Sequence, residues 1–256
     1  MANTNGTIKN TEAVMIDWHT HILPAMDDGS KNIEESAAML RLCYEEGVRT
    51  VILTPHFYPH KENPDRFLRR RAKSFDKLLS YISETDENVK TPQDWPNLVL
   101  GAEVFFFPEL AVMERKNLNA LSIGDSNYLM VELPMETWGN DIYKAFESLI
   151  FNRGIKPILA HIDRYFGFIK DVEPLKELVR EGMLIQLNTG AIEGFITRKK
   201  ALKWIDAELV QILASDCHNI SDRPPNLGKA LAKLEKHIGR GSARKLVMFS
   251  PPKGQV

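Results

Sequence analysis

The sequence has few cysteines, almost no net charge and no apolar run long enough to span a membrane. Cys43 and Cys217 are the only cysteines among 256 residues, which excludes a disulfide-rich secreted scaffold and favours reduced thiols in a cytoplasmic protein. The formal net charge is -1, so the chain lacks the broad basic field that sequence-independent binding to nucleic acid requires. We therefore expect a cytoplasmic protein that neither binds nucleic acid nor inserts into a membrane.

The composition is that of an ordinary globular protein. The chain is 43% hydrophobic and 26% charged, and its length suits one large α/β domain. Residues 1–13 are polar and lack the apolar segment of a signal peptide, so we expect a flexible N-terminal tail there. No change of composition divides the remainder, and residues 14–256 are expected to form a single domain.

Short apolar runs alternate with segments of helical spacing along the chain. This repeated order, with nearly continuous apolar strands, predicts the α/β class with parallel strands covered by helices. Strands are expected over residues 14–17, 50–54, 98–104, 128–133, 156–160, 184–187 and 209–214. Helices are expected from Ile33 to the residues before Gly47, from Pro64 onward, and over residues 139–152, 171–181, 196–206 and 226–238.

Potential metal ligands follow most of these strands directly. The carboxyl ends of all strands in a closed parallel barrel open on one face, so side chains at those ends converge on one pocket. Side chains alternate along an extended segment, and Asp17, His19 and His21 are therefore expected to share a face. One histidine at a strand end is usually an ordinary buried or loop residue, but repetition at the same position indicates a metal site. The candidate ligands are His19, His21, Asp28, His56, Glu103, Glu132, His161, Asp216 and His218.

The chemistry of this ligand set narrows the choice of metal. It combines imidazole and carboxylate without thiolate, which suits Mn²⁺, Fe²⁺ or Zn²⁺ better than it suits a structural zinc site. Its four carboxylates carry a formal charge of about −4, so two divalent ions would neutralise them. Three ions would leave a charge of about +2, which attracts a phosphate dianion.

The motifs at the strand ends resemble those of the PHP (polymerase and histidinol phosphatase) superfamily, and within it the bacterial manganese-dependent protein-tyrosine phosphatases encoded with capsule and exopolysaccharide genes. Between residues 15 and 239 they read DWHTHILPAMDDGS, TPH, GAEV, VELP, AHIDRY and SDCHN followed by RPPN. The resemblance implies a distorted TIM-like (β/α)7 barrel with three divalent ions, Mn²⁺ above all. The activity it implies is hydrolysis of phosphotyrosine by metal-activated hydroxide, on a protein such as the tail of a membrane-associated tyrosine kinase.

The resemblance also implies roles for single residues. Arg164 and Arg223 would bind the phosphate. The chain departs from the family pattern at Asp163, where glutamate is expected, and in its C-terminal residues. The implied ligand sets are His19, His21, Glu103 and Asp216 for the first ion, Glu103, Glu132 and His161 for the second, and Asp28, His56 and His218 for the third.

Other functions stay open at the level of the sequence. Histidinol phosphate and other small phosphomonoesters present the same dianion as phosphotyrosine. An amidohydrolase barrel also begins with His-x-His, although the segment LIQLNTG after the sixth strand offers no histidine. A metal-loaded interaction module is the alternative without catalysis, and the retention of every expected ligand opposes it.

The basic run over residues 66–73 either meets an acidic partner or is a solvated helix face, and the solvated face is the preferred interpretation. The oligomeric state is open.

A cysteine-dependent phosphatase is a further alternative. The spacing Cys-x5-Arg that such enzymes use occurs twice, from Cys43 to Arg49 and from Cys217 to Arg223. Neither segment is the glycine-rich loop that lets successive backbone N–H groups surround a phosphate. Cys217 also lies between two expected ligands, where alternation turns its side chain away from the ions.

Substitution of Cys217 separates the two chemistries. We expect Cys217→Ser to keep most of its phosphatase activity, because its side chain lies away from the ions, and we expect EDTA to abolish the activity of both proteins. Rates of phosphomonoester hydrolysis with and without EDTA check this. An inactive variant beside a wild type that tolerates EDTA would instead establish thiolate chemistry.

Overall fold

The structure is a computed structural model that describes residues 14–87 and 95–248. The expected N-terminal tail and the C-terminal residues from 249 onward lie outside these ranges. The strands are β1 (Met15–Thr20), β2 (Val48–Leu53), β3 (His56–Phe57), β4 (Asn97–Leu100), β5 (Glu103–Phe105), β6 (Tyr128–Glu132), β7 (Lys156–Leu159), β8 (Leu184–Asn188) and β9 (Ile212–Ala214).

Two parallel sheets combine into one barrel. One sheet has the order β1-β2-β4 and the other the order β3-β5-β6-β7-β8-β9. Strand β2 pairs with β4, and further along the same two chain segments β3 pairs with β5. The barrel closes beside β9 and β1, where the N–H of Asp216 donates to the carbonyl of His19 and the N–H of His21 to that of Cys217, both at 2.9 Å. The expected α/β class and distorted TIM-like barrel are confirmed.

The prediction of a single strand over residues 98–104 is wrong. That segment forms β4 and β5, which are separated by Gly101 and Ala102, and the short strand β3 was not expected. The N–H of Gly101 donates to Leu53 O at 2.9 Å, and the N–H of Glu103 donates to Pro55 O at 3.1 Å. Both neighbouring segments therefore bend together, and each passes from one sheet into the other without losing its partner.

Helices cover the outside of the barrel. The six expected helices are present, although the one over residues 139–152 ends as a wider turn at Ser148–Asn152. Three short helices were not expected, because four to seven residues are too few to show helical spacing. No helix in the described ranges has the length and apolar character needed to cross a membrane. The helices are α1 (Ile33–Glu45), α2 (Pro64–Glu87), α3 (Arg115–Leu121), α4 (Asn140–Glu147), α5 (Glu173–Arg180), α6 (Gly190–Glu193), α7 (Phe195–Asp206), α8 (Leu227–Ile238) and α9 (Arg240–Lys245).

The inside of the barrel is a packed apolar core. Its cluster takes residues from strands around the barrel and none from the helices, so it lies within the barrel. Trp18 is fully buried there and meets Tyr128 edge to face, with ring centroids 5.9 Å apart. This core closes the barrel beneath the carboxyl ends of the strands. The cluster contains Ile16, Trp18, Ile52, Val99, Ile123, Met130, Ile158, Ala160, Ile212 and Ala214.

The basic run of α2 is only partly a solvated face, so the preferred interpretation is wrong for one of its arginines. Arg71 is buried, and its guanidinium donates to Gly101 O at 2.6 Å and to Ala120 O at 2.8 Å. Arg70, whose side chain is 40% exposed, donates to Met26 O at 2.7 Å and pairs with Glu62. These guanidinium groups satisfy carbonyls at the bend between β4 and β5, in the last turn of α3 and in the loop after β1.

A close approach between α8 and the end of α1 yields a stability prediction. A Cβ on Gly228 would lie 2.2 Å from Glu46 O, whereas a Cβ on Gly241 would meet nothing within 4 Å. Both glycines are the second residue of a helix, where helix propensity favours alanine. We expect Gly228→Ala to lower the unfolding free energy by about 1–3 kcal/mol, because the helix must move away.

Thermal melting of the two alanine variants checks this. The melting temperature of Gly228→Ala should fall by several degrees, and that of Gly241→Ala should stay equal or rise. Equal melting temperatures for both variants would show that α8 does not pack this closely on α1.

Candidate metal centre

Nine imidazole and carboxylate groups meet at the mouth of the barrel formed by the carboxyl ends of the strands. They are the nine predicted ligands, and the structure brings all of them together. Six are buried at the base of the mouth, whereas the side chain of Asp28 is 69% exposed at its opening. The buried six are His19, His21, Glu103, His161, Asp216 and His218.

The first group comprises His19, His21, Glu103 and Asp216. The Nε2 atoms of the two histidines lie 3.1 Å apart. Each of them is 3.2 Å from Glu103 Oε2 and 3.5 Å from Asp216 Oδ1. Ligand atoms about 2.0–2.2 Å from a shared ion lie about 2.8–3.6 Å from one another. The four side chains therefore have the spacing of ligands around one ion.

The second group comprises Glu103, Glu132 and His161. His161 Nε2 lies 2.8 Å from Glu103 Oε1 and 3.5 Å from Glu132 Oε1. Because Glu103 turns Oε2 to the first group and Oε1 to the second, its carboxylate has the position of a bridge between two ions.

The third group comprises Asp28, His56 and His218. The Nε2 atoms of both histidines lie 3.5 Å from Asp28 Oδ1. The ring centroids of His21 and His218 are 4.0 Å apart, so this group adjoins the first. Asp28 makes it the most open of the three groups.

Three atoms of the nine groups are buried without a hydrogen bond, namely His161 Nδ1, Glu103 Oε2 and His56 Nδ1. The last two lie only 3.0 Å from each other. Buried polar atoms normally have a partner. Close approach without hydrogen-bond geometry means that the atoms are directed to a shared point rather than to each other. The donor set and its orientation therefore fit divalent cations.

Asp27 supports the cluster and is absent from the predicted ligand set. Its Oδ2 accepts from His21 Nδ1 and from the N–H of His56, both at 2.8 Å. A carboxylate on the far nitrogen of a ligand histidine fixes its tautomer and orientation. The available signal was the pair Asp27–Asp28 before Gly29, but spacing alone does not tell which aspartate faces the ions.

Gln186 of β8 is the second supporting residue absent from the prediction. Its Oε1 accepts from the N–H of His161 at 2.6 Å and lies 3.1 Å from His19 Nδ1. Its Nε2 donates to Asn188 Oδ1 at 2.8 Å, and Asn188 Nδ2 donates to Asp216 Oδ2 at 2.9 Å. The strand that offers no histidine thus orients ligands of its neighbours.

Asp17 does not join the histidines, so the expectation of a shared face is wrong. The register of β1 shifts between Asp17 and Thr20, which breaks the simple alternation. Asp17 instead lies with Cys43 and Cys217. Burial raises its pKa to about 6, against the hydrogen bonds from Ser215 that lower it.

Comparison with known proteins supplies the family. A family described as "Capsular polysaccharide synthesis, CpsB/CapC" matches residues 15–253. This chain belongs to the CpsB/CapC family. Tyrosine-protein phosphatase CpsB of Streptococcus pneumoniae is 30% identical over 253 residues, covering 93% of this chain and 97% of that protein. Tyrosine-protein phosphatase YwqE of Bacillus subtilis is 30% identical over 234 residues, covering 88% and 85%.

Solved structures agree with the family assignment. A structure described under crystal structures of YwqE and CpsB, "unique metal-dependent tyrosine phosphatases", has a TM-score of 0.75 and 28% identity, covering 91% of each chain. A lactonase from Listeria monocytogenes has a TM-score of 0.53 at 13% identity, covering 92% of each chain. The similarity to the lactonase shows that other hydrolases share this barrel, and this similarity concerns the fold alone.

Burial and neighbouring groups shift the pKa values of several side chains in the CpsB/CapC chain. Burial raises the pKa of Glu103, but the charges of His19 and His56 outweigh it and hold the pKa well below its usual range. Burial lowers the pKa of His161, but hydrogen bonds to Glu103 and Glu132 raise it to about 9. Burial also lowers the pKa of His218, and its hydrogen bond to Asp28 does not outweigh this effect. A divalent ion that binds His161 must therefore displace an imidazole proton.

Arg164 and Arg223, the predicted phosphate-binding residues, lie at the opening of the centre. Each guanidinium has an Nη2 atom 2.6 Å from Asp216 Oδ2. Their side chains are 31% and 38% exposed. Asp163, where the resemblance led us to expect glutamate, accepts from the N–H of Asn188 at 2.9 Å. Two cations thus converge on one point above the first group.

Loss of the Asp27 carboxylate should weaken metal binding without removing a ligand. We expect Asp27→Asn to lower affinity for Mn²⁺ by about 10- to 100-fold, because an uncharged amide replaces the carboxylate that His21 and the backbone of His56 share as their acceptor. The exposed Asp76→Asn is the matched control and should bind as the wild type does. Calorimetric titration of metal-free protein checks both, and unchanged affinity in Asp27→Asn would contradict the orienting role.

Proposed function

We propose that this CpsB/CapC chain is a metal-dependent protein-tyrosine phosphatase whose activity resides in one domain over residues 14–256. The observation that carries the proposal is the convergence of Arg164 and Arg223 above nine crowded imidazole and carboxylate groups. Relatives named tyrosine-protein phosphatases, which match along most of the chain, support the choice of reaction.

We assign three divalent ions to the centre, with Mn²⁺ as the native metal. Imidazole nitrogen and carboxylate oxygen suit Mn²⁺, and Fe²⁺ and Zn²⁺ are compatible with the same donors. When bound, such ions polarise the phosphate and supply water activated for attack. The ligands would be His19, His21, Glu103 and Asp216 for one ion, Glu103, Glu132 and His161 for another, and Asp28, His56 and His218 for the third.

The two arginines bind and orient the phosphate in this proposal. Both pair with Asp216 Oδ2, and Arg164 donates to that oxygen whereas Arg223 donates to the backbone carbonyl of Asp216, which leaves further guanidinium N–H groups for the phosphate oxygens. Their donors stabilise negative charge as it spreads over the phosphate in the transition state. Each contact is worth about 1.5–3 kcal/mol, or roughly ten- to a hundredfold in rate.

The chemistry of the leaving group favours an aryl phosphate over an alkyl phosphate as the substrate. The phenol of tyrosine has a pKa of about 10, so its oxygen departs with less help from a proton donor than the alkoxide of histidinol phosphate. We therefore propose phosphotyrosine in a cytoplasmic protein as the substrate, such as the tail of a membrane-associated tyrosine kinase that regulates capsule or exopolysaccharide synthesis. The capsular description of the family supports that setting.

Competing substrates test the proposal. Protein loaded with Mn²⁺ is expected to hydrolyse a phosphotyrosine peptide with a higher kcat/KM than histidinol phosphate, and EDTA is expected to abolish both activities. A higher kcat/KM for histidinol phosphate would refute the tyrosine substrate while leaving the metal chemistry intact. Activity that survives EDTA would refute the metal chemistry.

Glu103→Gln should cost more activity than loss of either arginine. Glu103 is placed between two groups, so neutralising it removes charge from two ion sites at once, whereas loss of an arginine removes one phosphate contact. We expect a rate loss of more than about a hundredfold. The rise in melting temperature on adding Mn²⁺ should also shrink, because ions that bind only the folded chain stabilise it.

The exposed Glu109→Gln is the control, since it makes the same change outside the centre. Its turnover, metal content by mass spectrometry and melting temperature should match the wild type. If Glu103→Gln also keeps its full metal content and near-normal turnover, Glu103 is not the bridge.

A further inference from the structure

A second cluster of ligand-type side chains lies apart from the candidate metal centre. It contains Asp17 of β1, Cys43 of α1, and Cys217, which follows β9. One ligand atom from each residue lies within 4.8 Å of the others. Both thiols are free, and all three residues are buried. The cluster joins a helix to two strands that meet where the barrel closes.

The carboxylate of Asp17 has an unsatisfied oxygen. Its Oδ1 accepts from the N–H of Ser215 at 3.0 Å, which fixes the group in place. Its Oδ2 is buried and has no hydrogen-bond partner. A buried carboxylate oxygen without a partner costs free energy, and pairing or metal coordination is the usual compensation.

We propose that Asp17, Cys43 and Cys217 form a separate structural site for Zn²⁺. Two thiolates and one carboxylate supply three of the four donors that Zn²⁺ takes, whereas the imidazole and carboxylate donors of the candidate metal centre suit the harder Mn²⁺. When the ion binds, metal–sulfur bonds replace the two S–H bonds, and both protons leave to solvent.

This site would act on the fold rather than on the reaction. It ties α1 to the strands that carry ligands of the candidate metal centre, since Cys217 stands between Asp216 and His218. The contribution is to stability, so activity in Cys217→Ser is compatible with it. The inference also does not depend on the proposed phosphatase function.

X-ray absorption at the zinc edge tests the site directly. The full-length protein is given four equivalents of Zn²⁺, three for the candidate metal centre and one for this cluster, under a phosphine reductant, which adds no thiol. Zinc alone is used because Zn²⁺ displaces Mn²⁺ from imidazole and carboxylate donors. We expect sulfur neighbours at about 2.3 Å from zinc in the wild type. Cys43→Ser and Cys217→Ser should lose half or more of that sulfur signal, and Asp17→Asn should keep the sulfur but bind zinc more weakly.

The wild-type spectrum alone can overturn the proposal, even if a variant does not fold. A zinc spectrum with nitrogen and oxygen neighbours only, at four equivalents, would show that zinc enters the candidate metal centre alone and that this cluster is a plain buried acid beside two thiols. Sulfur neighbours that persist unchanged in both cysteine variants would overturn it as well, because they would come from another residue.

Discussion

Negatively charged side chains crowd the mouth of the barrel, and the strands, loops and histidines around it must hold them close together. Four carboxylates share one pocket, and three of them are largely buried. Buried anions are tolerated only when cations compensate them. Histidines provide part of this compensation within the chain itself: against the effect of burial, hydrogen bonds to Glu103 and Glu132 raise the pKa of His161 to about 9, and the charges of His19 and His56 lower that of Glu103. Three divalent ions would reverse the sign of the pocket, which a phosphate dianion requires.

Short, bent strands of the barrel bring these charged side chains together. His56 and Glu103 stand opposite each other in the register of β3 and β5, the two strands created where the sheets change. Glu132 ends β6 opposite Phe105, one strand further around. His161 and Asp216 have left-handed backbone conformations, with φ of 33° and 53°. Such strain outside glycine persists where surrounding contacts fix it, and here the N–H of His161 donates to Gln186 and the side chain of Asp216 accepts from Asn188.

The alternation of strands with helices predicted the parallel α/β class, and the ligands that follow the strands predicted the nine grouped side chains. The distorted barrel was instead implied by the resemblance of the motifs to a known family. The sequence did not predict features that depend on tertiary contacts. Asp27 and Asp28 are neighbours in sequence, and only the folded loop turns one to His21 and the other to His56 and His218. Asp17 does not share a face with His19 and His21, because a register shift interrupts β1. Arg71 is buried because its guanidinium reaches the carbonyls of Gly101 and Ala120, and a run of charges in the sequence does not reveal such partners.

Anomalous diffraction from crystals grown with Mn²⁺ is the most direct test of three ions bridged in part by Glu103, because it locates each ion relative to its ligands. Three peaks are expected at the barrel mouth. One lies among His19, His21 and Asp216, a second beside Glu132 and His161, and a third beside Asp28, with Glu103 between the first two. A single peak, or peaks that leave Glu103 outside the shell of both ions, would contradict this arrangement.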